Sequence, residues 1–159
     1  MNTRILIAVV VSIFLCQQVH AQTEEEPEQA EATELEGTWE TVSSVTDGEQ
    51  HDTANGDLRR FEGNRWYYRG AEDKNWRPAG TFSMNPSAMP AEIDFVSRQG
   101  CYEFATYQLG IYELDGDLLR ICMTYSTYSE TPGTRPDRFE STEETWLIVF
   151  RRVTEEESE

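Results

Sequence analysis

The sequence predicts an all-β protein, an antiparallel up-and-down barrel of eight strands. After residue 21, apolar and polar residues alternate over short runs, which is typical of strands that bury one face. Gly, Asn, Asp and Pro separate these runs, and reverse turns favour the same residues. Helical spacing of apolar residues is absent from this region. Eight runs suit a small closed barrel, in which closure leaves no exposed sheet edge.

Short connections join the predicted strands in an up-and-down order. Glu62–Asn64 predicts a tight hairpin because Gly63 and Asn64 tolerate the positive φ that such a turn needs, and Asn85–Pro90 predicts a longer bend. The predicted strands are Thr38–Val45, Asp57–Phe61, Arg65–Arg69, Ala79–Met84, Glu92–Val96, Tyr107–Glu113, Leu118–Tyr125 and Thr145–Val153.

The first 21 residues predict export. A basic start ending at Arg4 precedes the apolar run Ile5–Cys16, and Val19-His20-Ala21 resembles a signal-peptide cleavage site. The run is shorter than the roughly 20 apolar residues of a membrane-spanning helix. An uncleaved anchor, or a lipid attached to Cys16, is therefore the less favoured alternative. We expect an exported chain without a membrane span, located in the periplasm or cell envelope or secreted.

The remaining chain is predicted to form one domain between two acidic flanks. Residues 22–34 carry mutually repelling carboxylates and little apolar surface, so we expect a disordered acidic linker. Residues 154–159 are predicted to be a similar disordered tail, and the domain spans residues 35–153. The net charge of −17 makes nucleic acid and anionic membrane surfaces poor partners.

Residues 110–122, which read GIYELDGDLLRIC, predict a β-hairpin. If the odd-numbered apolar residues of both arms share the inner face, paired positions sum to an even number. We therefore expect a three-residue turn of Asp115, Gly116 and Asp117, with Gly116 left-handed. The two carboxylates belong to a turn rather than to a catalytic pair, because a hairpin tip offers little of the burial that a shared proton needs.

The two ends of the domain predict how the barrel closes. Gly37-Thr38-Trp39 opens the first strand, and Arg152 lies at the end of the last. This pairing resembles that of the G-x-W motif with a final-strand arginine in lipocalins, and the resemblance implies that the two residues meet. We expect the Trp39 indole to plug one end of the barrel. An arginine stacked on this ring would gain a cation–π contact of about 0.5–2 kcal/mol and fasten the first strand to the last.

Five motifs in a fixed order carry a family resemblance: LEGTWE, AGTFSMNPSAMPAEIDF, GIYELDGDLLRIC, RPDRF and FRR. Together they resemble a lipocalin-like domain family of unknown function that is abundant in planctomycete bacteria. The most specific matches are the 110–117 hairpin and Arg135-Pro136 with Phe139. The resemblance implies a lipocalin-like barrel, and it supplies no substrate, cofactor or catalytic residue. We also expect Arg135 to pair with the Asp115–Asp117 turn.

Catalytic and metal-binding signatures are missing from the sequence. His51 is the only histidine after residue 21, and the acidic residues around it lack the spacing of a calcium loop. There is no G-x-S-x-G, Gly-rich phosphate loop or C-x-x-C. We therefore predict a protein that is not an enzyme and has no cofactor or metal. The enzymatic alternative requires carboxylates such as Glu113 and Asp94 to converge inside the barrel.

Two cysteines follow residue 21, Cys101 and Cys122, and two states remain open for them. An oxidising compartment favours a disulfide. An unbroken strand, however, would hold Cys101 roughly 23 Å from the partner position of Cys122, so a bridge requires a bend between them.

Two function classes remain. In the first, the barrel binds a small apolar ligand. In the second, the barrel interior is filled and binds no ligand, and the domain contacts envelope protein or glycan through exposed aromatics such as Tyr125 and Tyr128. The partner in either case is unknown. The residues predicted to line the barrel are Trp66, Tyr68, Phe82, Met84, Ile93, Phe95 and Tyr107.

Overall fold

The computed structural model describes residues 32–52, 55–97, 106–125 and 133–154. They form a closed, all-antiparallel barrel of eight strands, which confirms the predicted fold class. The elements are a 3-10 turn at Ala32–Leu35, then β1 Gly37–Thr46, β2 Glu49–Gln50, β3 Leu58–Glu62, β4 Arg65–Arg69, β5 Arg77–Asn85, β6 Glu92–Ser97, β7 Thr106–Asp115, β8 Leu118–Thr124 and β9 Thr145–Arg152. The described residues include no helix with the length and apolarity that crossing a membrane requires.

The strands pair in sequence order, and β9 closes the barrel by pairing with β1. The short strand β2 pairs only with the end of β1, as the return arm of the turn at Asp47 and Gly48. It is the one described strand that the sequence pattern missed, because two exposed residues carry no alternation. The 3-10 turn includes residues 32–34, the last three of the predicted linker.

Trp39 plugs one end of the barrel. Its ring is fully buried, and its Nε1 donates a hydrogen bond of 2.8 Å to the carbonyl of Leu35, which is itself fully buried. The guanidinium of Arg152 stacks on the Trp39 ring, 4.1 Å from its centroid. We call the end of the barrel at these three residues the plug end, and the opposite end, where β6 and β8 finish, the far end.

The β7–β8 hairpin differs from its predicted register by one residue. Leu114 pairs with Leu119 and Asp115 with Leu118, so the turn has two residues, Gly116 and Asp117, rather than three. Gly116 does have the expected positive φ, 57°. Even-numbered residues of β7 therefore face inward against odd-numbered residues of β8.

A segment on the outer face of the barrel explains this error. Ile111 and its cross-strand partner Cys122 are buried on the outer face and stand apart from the main core. The Cys122 thiol donates a hydrogen bond of 3.3 Å to the carbonyl of Glu140, so the segment around residue 140 covers this face. Because apolar residues occupy both faces of the hairpin, alternation alone does not fix its register.

The main core fills the plug half of the barrel with closely packed rings. Phe61 and Phe82 meet edge to face with centroids 5.0 Å apart, and Trp66 meets Phe95 in the same way at 5.5 Å. The core comprises Leu35, Trp39, Phe61, Phe82, Ile93, Phe95, Tyr112, Leu119, Ile121, Met123, Ile148 and Phe150.

Candidate functional site

The interior of the barrel changes from apolar to polar toward the far end. Ser97 pairs with Thr106 where β6 ends and β7 begins, and both side chains are buried on the inner face. Thr124 and Thr145 also pair and are buried, but on the outer face, where the Thr145 hydroxyl donates a hydrogen bond of 3.0 Å to the carbonyl of Glu140. The buried polar residues of the described chain are Thr41, Ser44, Arg59, Ser97, Thr106, Gln108, Thr124 and Thr145. Some of these groups bond to backbone, as Gln108 does to the Thr124 carbonyl at 3.3 Å.

Among the residues that the structure describes, one guanidinium lies inside the barrel, that of Arg59. Arg59 on β3 has the same parity as the core residue Phe61, which turns its side chain inward, and only 9% of it is exposed. The guanidinium carbon lies 5.2 Å from the centroid of Trp66, 5.9 Å from Trp146 and 5.0 Å from Phe150. Burial lowers the pKa of Arg59 to about 10, and the group stays protonated at neutral pH.

Asp57, the carboxylate whose charge acts on Arg59, already accepts two hydrogen bonds from other residues. Asp57 accepts a hydrogen bond of 2.6 Å from the Tyr68 hydroxyl and one of 2.9 Å from the backbone N–H of Ala71. Its charge acts on Arg59 only through space. Burial, followed by the bond to Asp57, raises the pKa of Tyr68 from 10.0 to about 12, which keeps this hydroxyl a donor.

Arg59 therefore holds a buried charge that has no direct anionic partner among the described residues. Among residues 32–52, 55–97, 106–125 and 133–154, no carboxylate forms an ion pair with its guanidinium and no acceptor forms a hydrogen bond with it. The facing ring systems supply cation–π attraction, which offsets part of the cost of burying the charge. An unpaired buried cation remains unfavourable, and an anion from outside would relieve that cost.

Three further donors near Arg59 are buried and have no hydrogen-bond partner within the described part of the chain. They are the indole Nε1 of Trp66, the indole Nε1 of Trp146 and the hydroxyl of Tyr125. The first two belong to rings on which the guanidinium of Arg59 lies, and the Tyr125 ring is 6.4 Å from that of Trp146. Indole and guanidinium groups only donate, so this cluster requires acceptors. We call Arg59, Trp66, Tyr125 and Trp146 the donor cluster.

The residues predicted to line the barrel lie in three different environments. Phe82, Ile93 and Phe95 are core residues, and Trp66 and Met84 are half-buried against them. Tyr68 bonds to Asp57 beside Arg59. Tyr107 was predicted to face inward, but it faces outward with 38% of its surface exposed, because β7 turns its even-numbered residues inward.

The sequence reasoning missed Arg59 and Trp146. The two-residue period from Phe61 assigns position 59 to the inner face, so alternation within the predicted strand could have identified Arg59. Trp146 lies on β9 with the same parity as the core residues Ile148 and Phe150, so alternation within the predicted strand could have identified it.

The carboxylates of the enzymatic alternative do not converge inside the barrel. Glu113 is exposed and pairs with Arg120 at 2.7 Å. Asp94 lies on the outer face of β6, where Arg135 binds both of its oxygens at 2.5 Å and 2.8 Å. The described residues contain no group of three His, Cys, Asp or Glu side chains that could hold a metal ion.

Arg135 does not reach the hairpin turn, contrary to our expectation. It spans from Asp94 to the carbonyl of Gly110, which accepts a hydrogen bond of 2.7 Å. The turn lies at the plug end instead, where the carbonyl of Asp117 accepts a hydrogen bond of 2.8 Å from the Arg152 N–H. Pro136 and Phe139, which follow Arg135 in the same motif, belong to the same outer segment. The guanidinium carbon of Arg120 lies 4.8 Å from the centroid of the Phe139 ring.

Cys122 is a free thiol, so the disulfide alternative is not realised at this residue. Burial raises the pKa of Cys122, which makes the thiolate less accessible. Its predicted partner, Cys101, lies outside the described residues, as do Tyr128, the predicted signal peptide and most of the linker.

Comparison of the chain with protein-family models, with curated proteins and with solved structures yields no match. The class of protein is therefore defined by the fold alone, as a closed antiparallel β-barrel with a polar, donor-rich inner half. The resemblance to a lipocalin-like family stays a prediction.

Proposed function

We propose that this domain is an exported lipocalin-like binding protein whose barrel takes a small organic carboxylate. The observation that carries the proposal is the donor cluster at Arg59, in which one cation and three buried donors lack acceptors among the described residues. A carboxylate supplies acceptor oxygens and a negative charge in one group. Charge-assisted hydrogen bonds of this kind are shorter and stronger than neutral ones.

The packed plug half limits the size of the ligand. Phe61, Phe82 and Phe95 lie within 6.3 Å of one another by ring centroids, which leaves no channel for a long acyl chain toward Trp39. The apolar part of the ligand would instead meet the rings of Trp146, Tyr125 and Tyr68. An aromatic or short-chain carboxylate therefore fits this interior better than the purely apolar ligand that the sequence suggested.

Calorimetric titration of the purified protein tests the proposal with five probes: benzoate, benzamide, octanoate, palmitate and inorganic phosphate. We expect benzoate or octanoate to bind, palmitate to bind no more tightly than octanoate, and the neutral analogue benzamide to bind at least tenfold more weakly than benzoate. Tenfold corresponds to about 1.4 kcal/mol, which is at the low end for one hydrogen bond to a charged group. Binding of phosphate alone would assign the site to an inorganic anion and overturn the organic part of the proposal.

Two neighbouring arginines provide the matched variants. Arg59→Met removes the inner charge and keeps a long side chain, whereas Arg60→Met removes an outward charge from the same strand. We expect the first variant to lose at least tenfold in carboxylate affinity and the second to match the parent. Trp146→Phe keeps a ring and deletes one donor, so it should weaken binding severalfold. Equal affinities in Arg59→Met and the parent would remove the proposal.

The first residue of the purified protein tests export separately from ligand binding. Cleavage after Ala21 leaves Gln22 as the first residue of protein recovered from a host with a secretory pathway. N-terminal sequencing that finds Met1 on all of the recovered protein would contradict export, without bearing on the ligand.

A further inference from the structure

The outer face of the barrel carries a second cluster of arginines, in a groove of about 550 Å³. The groove lies over β1, β3, β4 and β9, on the opposite side of the sheet from the donor cluster. Three guanidinium groups and one carboxylate line it, those of Arg60, Arg69, Arg151 and Glu40. In a chain with a net charge of −17, this concentration of cations is unusual.

Two arginines of this groove pack against the ring of Trp76. The guanidinium carbons of Arg60 and Arg69 lie 4.7 Å and 4.9 Å from its ring centroid. Arg60 also pairs with Glu62 at 2.9 Å, and Arg151 with Glu40 at 2.7 Å. Within the described part of the chain, Arg69 has the Trp76 ring as its contact and no ion pair with a carboxylate. The groove therefore keeps an excess of positive charge.

The chain leaves the barrel at this groove, and the sequence that follows is acidic. Val153 lines the groove, and its backbone N–H donates a hydrogen bond of 2.8 Å to the carbonyl of Thr38, which fixes the point where the chain leaves β9. The next residues read TEEESE, with four glutamates at positions 155–157 and 159. At about 3.3 Å per extended residue, Glu155 to Glu157 come within roughly 7–13 Å of Val153, which spans a groove of this size.

We propose that the acidic segment 154–159 docks in this arginine groove as an intramolecular ligand. Two facts favour it over an anion from outside. A tethered segment acts at an effective concentration in the millimolar range, and the net charge of −17 repels a free polyanion before it reaches the groove. The docked segment covers Arg69 and Trp76, so an external anionic partner binds this face only by displacing it.

Fluorine NMR of 5-fluorotryptophan-labelled full-length protein tests the docking, with the Trp76 resonance assigned through Trp76→Phe. The tail variant replaces Glu155, Glu156, Glu157 and Glu159 with Gln. The leader variant replaces Glu24, Glu25, Glu26 and Glu28 with Gln, which removes the same charge from the other acidic flank. We expect the Trp76 resonance to move in the tail variant and to stay at the parent position in the leader variant.

Salt and a free peptide complete the experiment. Sodium chloride at 1 M, where the Debye length is about 3 Å, should move the parent Trp76 resonance toward that of the tail variant. The peptide TEEESE added in trans should bind the tail variant at least fivefold more tightly than the parent, and it should bind the tail variant carrying Arg69→Gln more weakly. An unmoved resonance in the tail variant, or equal shifts in both variants, would overturn the docking.

Discussion

Arg152 and Trp39 join the last strand of the barrel to the first. The guanidinium lies 4.1 Å from the centroid of the indole ring, and it also donates hydrogen bonds of 2.6 Å and 2.9 Å to the carbonyls of Glu36 and Glu34. The same residue therefore covers the plug, closes the sheet and satisfies carbonyls of the segment that leads into β1. A planar group with five donors performs these tasks together, and a lysine ammonium does not.

Arg152→Ala should lower the free energy of unfolding by about 2 kcal/mol. The loss combines a cation–π contact of about 0.5–2 kcal/mol with charge-assisted hydrogen bonds to two carbonyls, and such contributions do not simply add. Arg152→Lys keeps the charge and should recover less than half of the loss. Urea denaturation measures both variants, with Arg138→Ala, at an exposed position, as a control that leaves the midpoint unchanged. Equal stability of Arg152→Ala and the parent would contradict the role of this contact.

The strands of the barrel could be predicted from the sequence because each of them buries one face. Arg65–Arg69 was predicted with its observed bounds, and the other barrel strands differ by one or two residues at their ends. The contact between Trp39 and Arg152 was also predictable, since the first and last strands of a closed barrel must meet.

The candidate site could not be predicted in the same way. A charged side chain inside a barrel violates the rule that links polarity to the outer face, so composition gives no reason to place Arg59 in the interior. The partner of Arg135 was missed because Asp94 is 41 residues away, and a sequence contains no direct signal for such a pairing. The hairpin register was wrong because Ile111 and Cys122 are buried by a segment far along the chain.

Arg135→Ala should release the outer segment from the barrel and expose Cys122. Arg135 binds Asp94 with two hydrogen bonds and the Gly110 carbonyl with a third, and this anchor holds the chain that covers the thiol. We expect the free energy of unfolding to fall by about 1–3 kcal/mol, as for loss of a charged hydrogen bond. In a Cys101→Ser background, the reaction of Cys122 with a disulfide reagent should become at least tenfold faster.

Two variants check that this effect comes from the anchor. Asp94→Asn should raise the thiol reaction rate as Arg135→Ala does, and the double variant should add little to either single variant, because both remove the same contact. Glu113→Gln breaks an exposed ion pair with Arg120 and should leave the rate unchanged. Full additivity of the two anchor variants would contradict the assignment of Arg135 to Asp94.

Gly80→Ala should be one of the most damaging substitutions in the barrel. A Cβ at this position would lie 2.0 Å from the backbone carbonyl oxygen of Val96, an approach that side chains do not make. Because β5 is irregular here, where its pairing with β4 shifts register, the neighbouring strand would have to move. We expect the free energy of unfolding to fall by more than about 3 kcal/mol in Gly80→Ala. Gly48→Ala should lower it by about 1–2 kcal/mol, because an added Cβ contacts nothing there and only the positive φ is unfavourable. Thermal unfolding of both variants measures the contrast, and equal melting temperatures would contradict it.

Tyr68 should remain protonated at a pH where ordinary tyrosines have ionised. Burial and the hydrogen bond to Asp57 raise its pKa from 10.0 to about 12, so folding favours the neutral phenol. The stability that this preference contributes is complete below pH 10 and is lost as the pH rises toward 12. Arg59 has the opposite sign: burial lowers its pKa to about 10, so the cost of burying its charge is complete below pH 10 and is relieved as the pH rises above that value.

Absorbance at 295 nm separates these two groups, because it reports tyrosinate and is blind to arginine. Between pH 9 and 11, the parent and Tyr68→Phe should give nearly the same ionisation curve, since Tyr68 stays neutral over that range. Asp57→Asn removes the anionic acceptor, lowers the pKa of Tyr68 and should add one ionising tyrosine to the curve below pH 11. A Tyr68→Phe curve that lacks an ionisation near pH 10 present in the parent would show that the hydroxyl is neither shielded nor held by Asp57.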